Sequence, residues 1–177
     1  RPASRGTGPR TEKWVRGVKT VSTLPPKGTF TKDAESIART MASPIVFSSS
    51  ADGGTTWSSP RTISTGGQGG ASHNQGADIA VAPNGTIYVA FEAFSSQGVD
   101  TINFVRSTDC GRHWSQPVVV GTIESPQAPG VAFRTPTFAF VATDSTNSNI
   151  VYAVYQNFVA GDYDVYAQPS TNGGASW

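Results

Sequence analysis

The chain has 177 residues, of which 37% are hydrophobic and 14% charged, and its formal net charge is +1. This length and apolar content suffice for a buried core. The low charge argues against a nucleic-acid partner, because phosphate backbones are bound by clustered lysine and arginine. No apolar run reaches about 18 residues, so we expect no transmembrane segment.

The first 40 residues are typical of an extended or disordered lead-in. They contain prolines such as Pro25 and Pro26 among scattered basic residues, and this composition disfavours a packed core. A short helix is predicted at 32–40, where Ala34, Ile37 and Ala38 share one face. The basic residues gathered in the lead-in are Arg1, Arg5, Arg10, Lys13, Arg16 and Lys19.

An eight-residue pattern, Ser-x-(Asp/Asn)-x-Gly-x-(Ser/Thr/His)-Trp, occurs three times, at 50–57, 107–114 and 170–177. We name these the first, second and third hairpin motifs. Asp or Asn can accept hydrogen bonds from backbone amides two residues on, glycine supplies a positive φ, and the serine hydroxyl ties the incoming strand to the turn. We therefore predict three β-hairpin turns, each packed against the sheet by its tryptophan. The recurring residues are Ser50, Asp52, Gly54 and Trp57, then Ser107, Asp109, Gly111 and Trp114, then Ser170, Asn172, Gly174 and Trp177.

The spacing of the motifs indicates the architecture. Asp52 and Asp109 are 57 positions apart, and Asp109 and Asn172 are 63 apart, which is closest to propeller blades with long loops. The predicted fold is all-β, with blades of four antiparallel strands in an incomplete propeller. The predicted division is the lead-in 1–40, a partial blade 41–71, and blades 72–130 and 131–177. The predicted strands are 44–47, 78–82, 86–94, 101–105, 137–142, 150–158 and 165–167, with further strands starting at 57–60 and 114–117.

The hairpin motif resembles the Asp box, or bacterial neuraminidase repeat, and the chain from about residue 44 onward is similar to the sialidase superfamily of β-propellers. Asp boxes in that superfamily are structural and lie on the rim away from the substrate face, which implies structural roles for Asp52, Asp109 and Asn172. Members are commonly six-bladed. The resemblance thus implies about half a ring, with the remaining blades in a longer parent chain, and an isolated segment that aggregates or forms dimers.

Sialidases use three arginines that clamp the substrate carboxylate, a tyrosine nucleophile activated by a glutamate, and an aspartate on a mobile loop. Phe133-Arg134-Thr135-Pro136 resembles the arginine motif, and residues 85–93 resemble the strand that ends in Glu-Ala. The resemblance implies Arg134 as a clamp residue and Glu92 as an active-site carboxylate. The pattern is split between two repeats, since Phe94 stands where an arginine is usual and the next repeat has Gln156-Asn157-Phe158 instead.

Other polar residues have competing interpretations. Asp100, Asp162 and Asp164 precede the third strands on predicted loops, where an acid/base is mounted in the family, although aspartate is common in loops. Tyr88, Tyr152 and Tyr155 fit either strand packing or a nucleophile. The two histidines, His73 and His113, lack the neighbours of a metal site, so we expect no metal and no cofactor. Cys110 is expected to be an incidental turn residue.

Three functions remain open. The first is a secreted exo-α-sialidase-type glycoside hydrolase, to which this segment contributes part of the substrate funnel. The second is a non-catalytic Asp-box propeller that binds a glycan or a protein. The third, a propeller glucanase, needs aromatic platforms for sugars, and Trp14 is the only tryptophan outside the hairpin motifs. We expect an extracellular or cell-envelope location, and no hydrolysis by the isolated segment.

Overall fold

The computed structural model describes residues 18–20, 44–64, 73–95, 99–124, 130, 132 and 137–177. Within these residues the secondary structure is entirely β. The predicted helix at 32–40 lies outside them. The strands are β1 Val18–Thr20, β2 Ile45–Phe47, β3 Arg61–Thr62, β4 His73–Val81, β5 Ile87–Phe94, β6 Asp100–Ser107, β7 Val118–Ile123, β8 Phe140–Thr143, β9 Val151–Val159 and β10 Asp162–Ser170.

The strands form three antiparallel sheets, which we name the first (β1-β2-β3), the middle (β4-β5-β6-β7) and the last (β10-β9-β8). The middle sheet has the predicted four strands in chain order. The first sheet includes β1, a strand from within the segment described above as the lead-in, paired with β2. Every pairing is antiparallel and links strands that follow each other in the chain, as expected when hairpins join the strands.

The sheets pack face to face in chain order, because alternate side chains of each strand point to opposite faces. One face of the middle sheet packs on the first sheet, and the other face packs on the last sheet. The first interface contains Ile45, Phe47, Ile63, Ile87, Val89, Phe91, Ala93 and Val105. The second contains Ala82, Tyr88, Ala90, Ile102, Phe104, Val120, Ile123, Ala139, Val141, Val151, Ala153 and Tyr155.

All three hairpin motifs share one hydrogen-bond pattern. The serine Oγ accepts the amide of the glycine four residues on, at 2.8 Å from Gly54, 2.9 Å from Gly111 and 2.9 Å from Gly174. The Asp or Asn Oδ1 accepts an amide four residues on, for example from Thr56 at 2.9 Å. The prediction that the Asx side chain accepts an amide two residues on was wrong. The amide two residues on belongs to the motif glycine, which has a positive φ. It donates to the serine Oγ instead.

The second motif follows a strand of the middle sheet and the third follows a strand of the last sheet. Each packs on the sheet before its own. Trp114 contacts Phe47 of the first sheet, with ring centroids 5.0 Å apart, and Trp177 contacts Phe104 of the middle sheet. Phe47 and Phe104 also fill the space that a Cβ would need at the motif glycines. Trp57 of the first motif is 46% exposed. The second and third motifs therefore each join their own sheet to the sheet before it.

The last sheet leaves one apolar face open. Val165 is 76%, Phe140 63% and Tyr152 40% exposed. Tyr152 and Val165 hold the positions in the last sheet that Tyr88 and Ile102 hold in the middle sheet. Tyr88 and Ile102 are buried beneath the last sheet. The open face includes a shallow cleft of about 280 Å³ lined by Phe138, Phe140, Val154, Tyr155, Gln156 and Val165.

Candidate functional site

Buried polar side chains gather at the ends of the sheets opposite the hairpin motifs, and we name this region the polar end. Glu92, near the end of β5, is fully buried. Its Oε2 accepts a 2.7 Å hydrogen bond from Nε2 of Gln75, the residue paired with it on β4. A carboxylate held in this way can orient a hydroxyl or guanidinium, or take a proton from a neighbouring group. The other members of the polar end are Asn74, Asp100 and Asn157.

A β-bulge places Gln75 opposite Glu92. The pairing of β4 with β5 shifts register between Gln75 and Asp78, and Gly76 in the bulge has a φ of +63°. The ring of Phe138 fills the space beside Gly76 that a side chain would need. Beyond the bulge, Asp78 Oδ2 accepts the amide of Val141 at 2.9 Å, which ties β4 to β8. Bulges commonly re-aim side chains beside functional sites, and this one orients the glutamine that binds Glu92.

Asn157 connects the middle and last sheets at the same end. Its Oδ1 accepts the amide of Glu124 and its Nδ2 donates to the carbonyl of Thr122, both at 3.0 Å. A buried amide side chain must satisfy its donors and acceptors, and Asn157 does so by binding the end of β7. The polar end is thus built from two sheets held in a fixed relation.

The two residues that the resemblance singled out differ in placement. Glu92 lies in the polar end, whereas Arg134 and its motif 133–136 lie outside the described residues. The expectation that three aspartates stand on loops was wrong. Asp100 is the first residue of β6, buried, and its Oδ1 accepts the amide of Ser95 at 2.9 Å. Asp162 and Asp164 lie within β10, because the turn before that strand is shorter than the sequence pattern indicated.

The three candidate tyrosines have different surroundings. Tyr88 donates to the carbonyl of Ser148 at 2.8 Å, at the end with the hairpin motifs, and burial raises its pKa. Tyr152 lies on the open face of the last sheet. Tyr155 is buried between the middle and last sheets, stacks on Tyr166, and its hydroxyl accepts Gln168 Nε2 at 3.2 Å. Among these tyrosines, Tyr155 lies nearest the polar end by register.

The carboxylates of the hairpin motifs are engaged in the turns. Hydrogen bonds from the hydroxyl and then the amide of Thr56, followed by the hydroxyl of Ser50, lower the pKa of Asp52 to about 2. The amide and then the ring of His113 hold the pKa of Asp109 well below its usual range. Asn172 makes the equivalent contact to the amide of Ser176. An amide at this position cannot act as a base, so the shared property of the three residues is acceptance of turn hydrogen bonds.

In the described part of the chain, no group of three or more His, Cys, Asp or Glu residues is arranged to hold a metal ion. No helix there is long and apolar enough to cross a bilayer.

Several residues of the polar end were missed in the sequence. Gln75, Asn74 and Asn157 are polar residues within apolar strands, and a pattern of alternating side chains alone assigns such residues to a solvated face. The signal that identifies them is position: Asn74 and Gln75 lie at the start of β4, which antiparallel pairing places beside the end of β5, and Asn157 lies near the end of β9. Gly76 carries a further signal, since a glycine inside a strand often marks a bulge.

Comparisons with known proteins give a likeness in structure. No family model and no curated protein matches the sequence of the chain. A protein of unknown function from Dyadobacter fermentans DSM 18053 matches with a TM-score of 0.52 and 17% identity over 76% of this chain and 42% of that one. This likeness concerns the fold alone. The Hadza microbial sialidase Hz136 matches more distantly, with a TM-score of 0.49 and 16% identity over 73% of this chain and 23% of that one. The chain therefore spans less than half the length of either protein.

Proposed function

We propose that the chain is part of a sialidase-like, Asp-box β-propeller that handles a glycan at its polar end. In the full-length protein the proposed activity is that of an exo-α-sialidase-type glycoside hydrolase. The observation that carries the proposal is Glu92, a fully buried carboxylate bonded to Gln75 at the end opposite the hairpin motifs. It belongs to the strand whose Gly-Thr and Glu-Ala pattern resembles the family.

The arrangement of sheets supports the propeller part of the proposal. The three sheets stack in chain order, and the second and third hairpin motifs join each later sheet to the one before it. In this proposal the partial blade 41–71 gains β1 as an additional strand, and blades 72–130 and 131–177 follow. Further blades of the full-length protein complete the ring. The proposed location is extracellular or in the cell envelope.

Arg134 and Glu92 have distinct proposed roles. A guanidinium binds a carboxylate through two parallel hydrogen bonds, so Arg134 is assigned to the carboxylate of a sialoside. Glu92 is assigned to a neighbouring hydroxyl or guanidinium, which it orients or deprotonates. Gln75 is a positioning residue that fixes the Glu92 carboxylate.

A second candidate is a non-catalytic propeller that binds a glycan or a protein at the same end. The observation that favours it is the last sheet, where Gln156 occupies the register position of Glu92. An amide there can bind a ligand but cannot act as an acid or a base.

Turnover of a fluorogenic α-sialoside by the full-length protein and its Glu92→Gln variant separates the two candidates. The hydrolase proposal expects a loss in kcat on the order of 10²-fold or more, with the melting temperature little changed. A Glu124→Gln variant makes the same exchange at an exposed carboxylate and should retain turnover. Binding of the sialoside without turnover supports the second candidate, and a well-folded protein that neither binds nor hydrolyses it contradicts both.

A further inference from the structure

A second cleft lies at the end of the molecule that carries the hairpin motifs. It separates the edge strand β3 of the first sheet from the second hairpin motif and the residues that follow it. Its volume is about 220 Å³. Its lining consists of Arg61, Thr62, Ile63, Arg112, His113, Trp114, Ser115 and Gln116.

The walls of this cleft are held in place. Ile63 is buried, and the Trp114 indole N–H donates to the carbonyl of Gly111 at 3.1 Å. The same ring packs edge-on against Phe47. Ser115 is bonded through its Oγ to the amide of Arg106 at 3.0 Å. These contacts fix Ile63, Trp114 and Ser115 before any ligand arrives, so the wall behind the two arginines need not be ordered on binding.

Two arginines from different sheets line the cleft, and no acidic residue does. Within the part of the chain that the structure describes, neither the Arg61 nor the Arg112 guanidinium forms a hydrogen bond or an ion pair. The carboxylate of this motif, Asp109, is engaged with His113, whose Nδ1 lies 2.5 Å from Asp109 Oδ2. Two unpaired positive charges in one concave surface create a local potential that attracts anions.

The repeat provides an internal comparison for this cleft. The third hairpin motif packs against the middle sheet in the same way as the second motif packs against the first sheet. By position in the repeat, Val118 replaces Arg61 there and Ala175 replaces Arg112. Because the third motif keeps the turn hydrogen bonds and the tryptophan packing, the fold does not require either arginine. The pair is therefore specific to one cleft.

We propose that this cleft binds a tetrahedral oxyanion, a sulfate or phosphate group, between Arg61 and Arg112. Guanidinium groups bind such oxygens through paired, charge-assisted hydrogen bonds. Thr62 and Gln116 offer further donors at the rim, and the partly exposed Trp114 ring offers an apolar surface to the group that bears the anion. The site is at the end opposite Glu92 and stands independently of the function proposed above.

The test uses the 177-residue chain labelled with 5-fluorotryptophan, which gives one fluorine resonance for each of its four tryptophans. A Trp114→Phe variant assigns the resonance of the cleft. Inorganic sulfate, inorganic phosphate and a sulfated disaccharide are titrated in turn. We expect the Trp114 resonance to shift with saturation, and tighter binding of the disaccharide than of sulfate identifies a saccharide as the source of the group. Equal affinities identify the free anion.

Arg61→Gln and Arg112→Gln should each weaken binding about tenfold or more, since each variant loses charge-assisted hydrogen bonds to the anion. Arg61→Lys with Arg112→Lys should retain part of the affinity. Arg5→Gln with Arg10→Gln removes the same charge elsewhere in the chain and should leave the Trp114 shift unchanged. A Trp114 resonance that does not respond to any of the three ligands overturns the proposal, as does equal binding by the double glutamine variant of the cleft.

Discussion

Phe104 of the middle sheet packs edge-on against Trp177 of the third hairpin motif, with ring centroids 4.9 Å apart and ring planes at 75°. The same phenylalanine fills the space beside Gly174 that a side chain would occupy. Phe47 stands in the same relation to Trp114 and Gly111. This repeated contact joins one sheet to the next, and it leads to the first prediction.

Replacing Gly111 or Gly174 with alanine should destabilise the chain more than replacing Gly54. All three have a positive φ, which costs an alanine about 1–2 kcal/mol. At Gly111 and Gly174 the new Cβ also collides with a phenylalanine ring, and such overpacking adds about 1–3 kcal/mol. Gly54 has only an ordinary contact with Trp57 and is the matched control. Urea unfolding measures the three differences, and equal losses would contradict the account of the interface.

Arg106 links the middle sheet to the third hairpin motif by a different interaction. Its Nη1 donates to the carbonyls of Gly173 at 2.7 Å and Asn172 at 3.2 Å. Arg106→Ala should lower the free energy of unfolding by about 1–3 kcal/mol, because the carbonyls lose a charged donor. Arg112→Ala removes an arginine whose guanidinium has no described partner and should have an effect within about 0.5 kcal/mol. Denaturant titration of both variants checks this, and similar values for the two would argue against the link.

Acid should weaken the first and second hairpin motifs but not the third. The pKa of Asp52 falls from an ordinary value of 3.8 to about 2, chiefly through hydrogen bonds from Thr56. A pKa lowered by folding means that the carboxylate contributes its stability above about pH 4 and loses it as the pH falls toward 2. Asp52→Asn, which copies Asn172 of the third motif, should therefore reduce the loss of stability between about pH 4 and pH 2. Unfolding midpoints at pH 5, 4, 3 and 2 test this, and parallel curves for the two proteins would refute it.

The open face of the last sheet should make the isolated chain self-associate. Val165 and Phe140 are more than half exposed, whereas the middle-sheet counterpart of Val165, Ile102, is buried. Apolar surface of this extent favours association with a second copy. Phe140→Lys with Val165→Lys should shift the sedimentation profile toward monomer. Val99→Lys, at an exposed residue outside this face, is the control, and a wild-type chain that sediments as a single monomeric species would contradict the prediction.

Much of the fold could be predicted from local patterns. The three hairpin motifs have turn residues with a direct physical role, and the strand at Ile87–Phe94 is a long apolar run between turn signals. The four-stranded middle sheet follows from them. The partner of each motif could not be predicted, because the contact of Trp177 with Phe104 joins residues far apart in the sequence. The acceptor of each glycine amide was predicted wrongly, because serine and aspartate can both accept amides in such turns.

The candidate site was predicted less completely than the fold. Glu92 was identified through a resemblance in its strand, but its partner Gln75 lies across a bulge that alternation of side chains does not reveal. Asp100 was expected in a loop, and it begins a strand because the connection after Ser95 is short. Gln156 and Asn157 were noted as departures from the family pattern, yet the contact of Asn157 with the end of β7 depends on how two sheets pack.

The most direct test of the central proposal is hydrolysis of a fluorogenic α-sialoside by the full-length protein and its Arg134→Ala variant. Arg112→Ala is the matched control, because it removes the same side chain at the end that carries the hairpin motifs, away from Glu92. The account predicts turnover that falls on the order of 10²-fold in Arg134→Ala with the fold intact, and wild-type turnover in Arg112→Ala. Unchanged turnover in Arg134→Ala, or none by a well-folded wild-type protein, would contradict the hydrolase assignment.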